Sequence, residues 1–141
     1  MLENSSVQSH VSILQGIIAR MASNSANCKT WAITVCAGLV IVLIDKTKIN
    51  YIPWTMIPIT LFWVLDCYYL SLERIFRTQY SIFVNKLHKK ELQETDIFQI
   101  KMEESTKEKI KQFAKGFWSF STSPFYLILN GIALLCYFAI K

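Results

Sequence analysis

The chain has 141 residues, 52% of them hydrophobic and only 18% charged, with a formal net charge of +5. That length suits one domain, but the composition and a mean hydropathy of +0.31 are too apolar for an ordinary water-facing surface and point to the membrane class. The four cysteines, Cys28, Cys36, Cys67 and Cys136, form no Cys-x-x-Cys pair and stand near no histidine. This argues against a zinc site or a disulfide framework and leaves them as small buried hydrophobes.

Residues 1–25 carry Glu3, His10 and Arg20, and the first long apolar run begins only near Thr30. No secretory signal pattern is present, so the first membrane helix is expected to act as the insertion signal. Val7, Val11, Leu14, Ile18 and Met21 recur every three to four residues, which predicts an amphipathic helix from Ser6 to about Ser23 within an N-terminal unit, 1–28. Such a helix is suited to lying on a membrane surface or packing on its neighbours.

Residues 30–44 (TWAITVCAGLVIVLI) contain no charge and are bounded by Lys29 and Asp45. At a rise of ~1.5 Å per residue they reach roughly 23 Å, short of a ~30 Å hydrocarbon core, so local thinning or snorkelling of Lys29 is needed. A short polar connector, 45–50, leads into a second apolar run, 51–72, interrupted by Pro53, Pro58 and Asp66. A connector this short predicts an antiparallel transmembrane hairpin over 29–72. Beyond it apolar residues persist at Leu72, Ile75, Phe76, Ile82, Phe83 and Leu87 while charges appear between them, predicting one helix from Tyr51 to Lys90 that continues into water. Residues 91–115 are strongly charged, with a break expected around Gln93 to Asp96, which makes 73–116 a cytoplasmic helical region. Phe117, Trp118 and Phe120 read as an interfacial belt before a third crossing within 117–141.

These pieces predict an all-α integral membrane protein. Ten of the Lys and Arg residues fall in 73–116, and Arg20 and Lys29 lie in the N-terminal segment, against Lys46, Lys48 and Lys141 elsewhere. The positive-inside tendency then places the N-terminus and the long loop in the cytoplasm, with the connector and C-terminus outside.

An ionisable group at membrane depth costs roughly 2.5–3.5 kcal/mol on insertion scales, so Asp66 marks either a helix-pairing contact or a functional site. Reflecting the hairpin about its connector brings Lys29 to the level of Asp66, where a bridge neutralises both. The sharper alternative has Asp66 facing a water-filled path or a neighbouring subunit. Phe62, Tyr69, Glu73 and Arg77 share its stripe, and Glu73 with Arg77 forms a favourable i, i+4 pair. A second stripe, Arg20, Ser23, Asn27, Thr30 and Thr34, runs as a polar ribbon into the first span, beside small residues Ala22, Ala26, Ala32, Ala37 and Gly38. Ribbons of this kind line pores when several copies assemble, and equally they hydrogen-bond within one subunit.

No catalytic role is expected. His10 and His88 lie in no metal-binding or nucleophile-activating spacing, and no glycine-rich phosphate loop exists among four glycines. Arg77 and His88 do not match the Arg-x4-6-His pattern of helical ribonucleases. No cofactor or metal is implied. Arg74, Arg77, Lys86, Lys89 and Lys90 form a basic cluster suited to anionic lipid head groups or a nucleotide, at about 1 kcal/mol per charge near an anionic surface, or simply to anchoring the cytoplasmic side; direct nucleic-acid binding is not expected.

The order RMASNSANCKTW, apolar hairpin, LDCYYLSLERIFRTQY resembles small bacterial membrane effectors of the two-helix type found beside nucleotide-signalling defence genes. It is more distantly similar to the RipA-like octameric membrane proteins and also looks like the membrane accessory proteins of RNA-targeting CRISPR systems. The resemblance covers roughly residues 10 to 90, and the third apolar run departs from the two-helix pattern. It implies residence in the bacterial inner membrane, homo-oligomeric assembly among membrane lipids, a partner protein of the defence system, and membrane depolarisation when infection is sensed. The alternative is a non-conducting scaffold that recruits a cytoplasmic partner through residues 73–115.

Overall fold

The computed structural model describes residues 4–43, 49–99 and 106–140, and among them every regular element is helical. Helix α1 spans Asn4–Leu43 without interruption, so the boundary expected near residue 28 is not a break. Its inward face carries Val7, His10, Leu14, Ser25, Cys28, Ala32 and Cys36 at the three-to-four-residue spacing of one helical stripe. The expected connector falls largely on 44–48, outside the described residues.

A 3-10 turn, Ile49–Thr55, precedes α2, Met56–His88. The sequence pattern predicts a helix from Tyr51, and the difference is made by Pro53 in that turn: proline lacks an N–H and crowds the preceding turn, so regular α-helix starts only beyond it. Pro58 is tolerated because it sits in the first turn of α2, where the N–H groups have no intrahelical partner. At its far end α2 stops two residues before Lys90, which adopts a left-handed conformation (φ 60°). Glu91 N–H donates to the Lys86 carbonyl (3.0 Å) and Lys90 N–H to that of Leu87 (3.2 Å), satisfying two terminal acceptors in a Schellman pattern.

Helices α1 and α2 run in opposite directions. Their contact pairs step from His10 with Phe83, through Gln15 with Tyr80, to Lys29 with Asp66. After α2 a short 3-10 turn, Glu94–Asp96, falls where the break is expected, and it folds back to α1. Helix α3, Thr106–Phe117, packs along α2 so closely that a Cβ at Gly116 would lie 3.1 Å from the Cys67 carbonyl oxygen. The chain then passes through a turn at 118–122, where Thr122 Oγ1 donates to the Gly116 carbonyl, and enters α4, Ser123–Ile140.

The main core joins three helices. Ala32 and Cys36 of α1, Ile59 of α2, and Tyr126, Leu129 and Ala133 of α4 form one buried cluster. Tyr126 stacks on Trp63 (5.9 Å between ring centres) and its hydroxyl donates to the Phe62 carbonyl at 3.3 Å. Two of the helices are long and apolar enough to cross a membrane, and α4 is a shorter apolar helix. Only 17% and 28% of the most apolar windows of the two long ones are buried, whereas the core helix of a water-soluble protein is mostly covered.

Candidate buried polar site

Asp66 is the most deeply buried charge among the described residues, with no exposed surface, and it is held between α1 and α2. Lys29 Nζ stands 2.6 Å from Oδ2, an ion-pair contact outside hydrogen-bond direction, and Ser25 Oγ donates to Oδ1. Lys29 also reaches Ser25 Oγ at 3.4 Å, one turn below it on α1. Carboxylate, ammonium and hydroxyl thus close a neutral knot, which is the arrangement a low-dielectric surrounding requires of a charge. Lys29 and Asp66 are the two residues that the hairpin reflection places at one level. Ser25 is missing from that expectation, although its place one turn before Lys29 is the signal that could have found it.

The polar ribbon of α1 is elsewhere. Arg20, Ser23, Asn27, Thr30 and Thr34 are all exposed on the side of α1 turned away from α2. Thr30 and Thr34 hydroxyls donate back to the carbonyls of Ala26 (3.3 Å) and Thr30 (3.0 Å), so these two groups are satisfied within the helix. Asn27 is exposed with the rest of the ribbon. Asp66 and the ribbon therefore occupy different sides of the hairpin pair rather than one shared face.

A further set of charged residues lies along the second half of α2 and just beyond it. Glu73 accepts from Arg77 Nε at 2.7 Å, and the Arg74 guanidinium donates to Ser119 Oγ at 3.0 Å, tying α2 to the α3–α4 turn. Lys86 pairs with Asp96 at 2.8 Å, which engages it within the chain, while Lys89 and Lys90 stay exposed at the end of α2. His10, unremarkable as a sequence feature, is buried: its Nδ1 accepts from the Phe98 backbone N–H at 3.1 Å and its ring lies 4.4 Å from that of Phe83. Burial pushes the imidazole below its ordinary pKa, opposed by the Asp96 carboxylate nearby. Among the described residues no group of His, Cys, Asp and Glu is placed to hold a metal ion.

No protein-family model, curated protein or solved structure matches the chain.

Proposed function

We propose that this chain is an integral membrane protein whose copies associate through the polar ribbon of α1 and perturb the bilayer, opening a water-filled path that collapses the membrane potential. In this reading 29–72 forms a transmembrane hairpin, α4 makes a third crossing, and the N-terminus and 73–116 are cytoplasmic. The observation that carries it is the separation of the two polar features of α1. The charged knot at Asp66 is sealed inside the subunit, whereas the ribbon from Arg20 to Thr34 faces outward, where lipid is a poor solvent and a neighbouring ribbon or water is a good one. Activation in bacterial antiviral defence is supported by the resemblance of residues 10 to 90 described above.

The test is expression in bacteria with a potential-sensitive dye. The wild-type chain is expected to depolarise the cells, and Asn27→Leu, which replaces a ribbon amide with a lipid-compatible side chain, to reduce the dye response at least several-fold at equal membrane abundance. A dye signal unchanged by wild-type expression rejects the pore. The second reading, a scaffold that recruits a cytoplasmic partner, is favoured by Phe98 and Ile110, large apolar side chains about 60% exposed in the cytoplasmic half.

A further inference from the structure

Between α1 and α2, on the cytoplasmic side of the Lys29–Asp66 pair, lies a groove of about 450 Å³ lined by Gln15, Ile18, Ala19 and Ala22 of α1 and by Arg77 and Tyr80 of α2. Ala19 and Ala22 each put only a methyl group into this stretch, which leaves the space open. The antiparallel register orders the walls. Gln15 Nε2 approaches the Tyr80 hydroxyl at 3.5 Å and Lys29 meets Asp66, so Ala22 lies at the end nearer the ion pair and Gln15 with Tyr80 at the far end. The groove is therefore apolar toward the bundle and polar away from it.

Arg77 supplies its charge. Nε donates to Glu73 at 2.7 Å, and no partner among the described residues engages the two terminal nitrogens, on a side chain 63% exposed. Glu73 balances one arginine, but Arg74 spends its bond on the neutral Ser119 hydroxyl, so residues 73–77 keep one net positive charge. Lys86 is paired with Asp96 and adds nothing here. Arg77 also stands five residues past Leu72, where the apolar run ends, which is about 8 Å along the helix. A head-group layer reaches roughly 5–8 Å beyond the hydrocarbon on each side, so the guanidinium falls at phosphate level.

We propose that this groove holds one anionic phospholipid of the cytoplasmic leaflet. The free edge of the Arg77 guanidinium takes two phosphate oxygens, for which its planar fork is matched, and the Tyr80 hydroxyl donates to the same group. The start of one acyl chain covers Ile18, Ala19 and Ala22. A water-soluble phosphate would use the polar end alone and leave that floor bare, and a zwitterionic lipid would bring its own cation against the unbalanced arginine. The inference rests on the membrane reading above, which sets the groove at head-group depth.

The test is native mass spectrometry of the full chain in detergent, titrated with dioleoyl phosphatidylglycerol, dioleoyl phosphatidylcholine or glycerol 3-phosphate. Phosphatidylglycerol is expected to bind first and tightest, and Arg77→Gln to weaken that first binding about tenfold, the loss of a charge-assisted hydrogen-bond pair. Ala22→Leu, which fills the groove and leaves every charge in place, should weaken it similarly, whereas the double variant Lys89→Gln, Lys90→Gln should not. Equal binding of phosphatidylcholine, displacement by equimolar glycerol 3-phosphate, wild-type affinity in either groove variant, or loss in the lysine variant overturns the lipid site and leaves membrane insertion standing. A chain that stays in water without detergent and fails to float with phosphatidylglycerol vesicles overturns both.

Discussion

Asp66 and Lys29 are held by each other, and the consequence for substitution follows from which charge is left behind. Asp66→Ala strands the Lys29 ammonium, only 22% exposed, beside an apolar core; breaking a buried pair of this kind costs about 3–5 kcal/mol, and snorkelling of lysine places the expectation near 3 kcal/mol. The double variant Lys29→Met, Asp66→Leu is expected to regain most of that loss, because it removes both desolvation costs at once. Denaturant unfolding in mixed micelles measures the pair, and a single variant as stable as wild type refutes the role given to it. Asn27→Leu changes an outward residue, so it tests assembly without this folding penalty. His10 supplies a pH dependence. As a neutral imidazole accepting from Phe98 N–H it has a folded pKa below the ordinary 6.5. The docked turn is therefore fully stabilised above about pH 6.5 and is loosened as pH falls through that value, when the unfolded form binds the proton more readily. Proteolysis within the 94–98 turn should accelerate between about pH 7.5 and 5.5, and His10→Phe, which keeps a ring against Phe83, should remove the pH step.

At the scale of elements, the helices were legible in their apolar spacing, and their ends were less so. Pro53 displaces the start of α2 because proline cannot enter its regular ladder, and Lys90 ends it in a left-handed conformation that the residue type does not advertise, since glycine is the usual occupant. The tight approach of α3 to α2 was equally silent in the sequence. Gly116 is the one glycine whose missing side chain is required by packing: an added Cβ would meet Cys67 atoms at 3.1 to 3.3 Å, while Gly16, Gly38 and Gly131 have open space. Gly116→Ala is expected to push α3 outward and cost about 1–2 kcal/mol, whereas Gly16→Ala should stabilise by up to about 1 kcal/mol through helix propensity. Thermal unfolding in detergent compares the two, and equal melting temperatures would mean that α3 yields freely.

At the scale of the whole molecule, the structure is a three-helix apolar bundle carrying a helical extension of α1 and α2 closed by His10, Phe83 and the 94–98 turn. The order of residues determined that the chain would be helical and that two of its helices would be long and apolar, because apolar spacing and uninterrupted run length are properties of the chain read along its length. The level of Lys29 and Asp66 was also readable, since an antiparallel pair joined by a short connector leaves little freedom in register. Only the tertiary structure decided which side of α1 meets its partners. Ser25 and Asn27 are both small polar residues two positions apart, about 200° around the helix, and their identities do not say which one turns inward. Burial against Asp66 chose Ser25, because a carboxylate removed from water needs a donor, and that choice left Asn27 exposed on the opposite side of the helix.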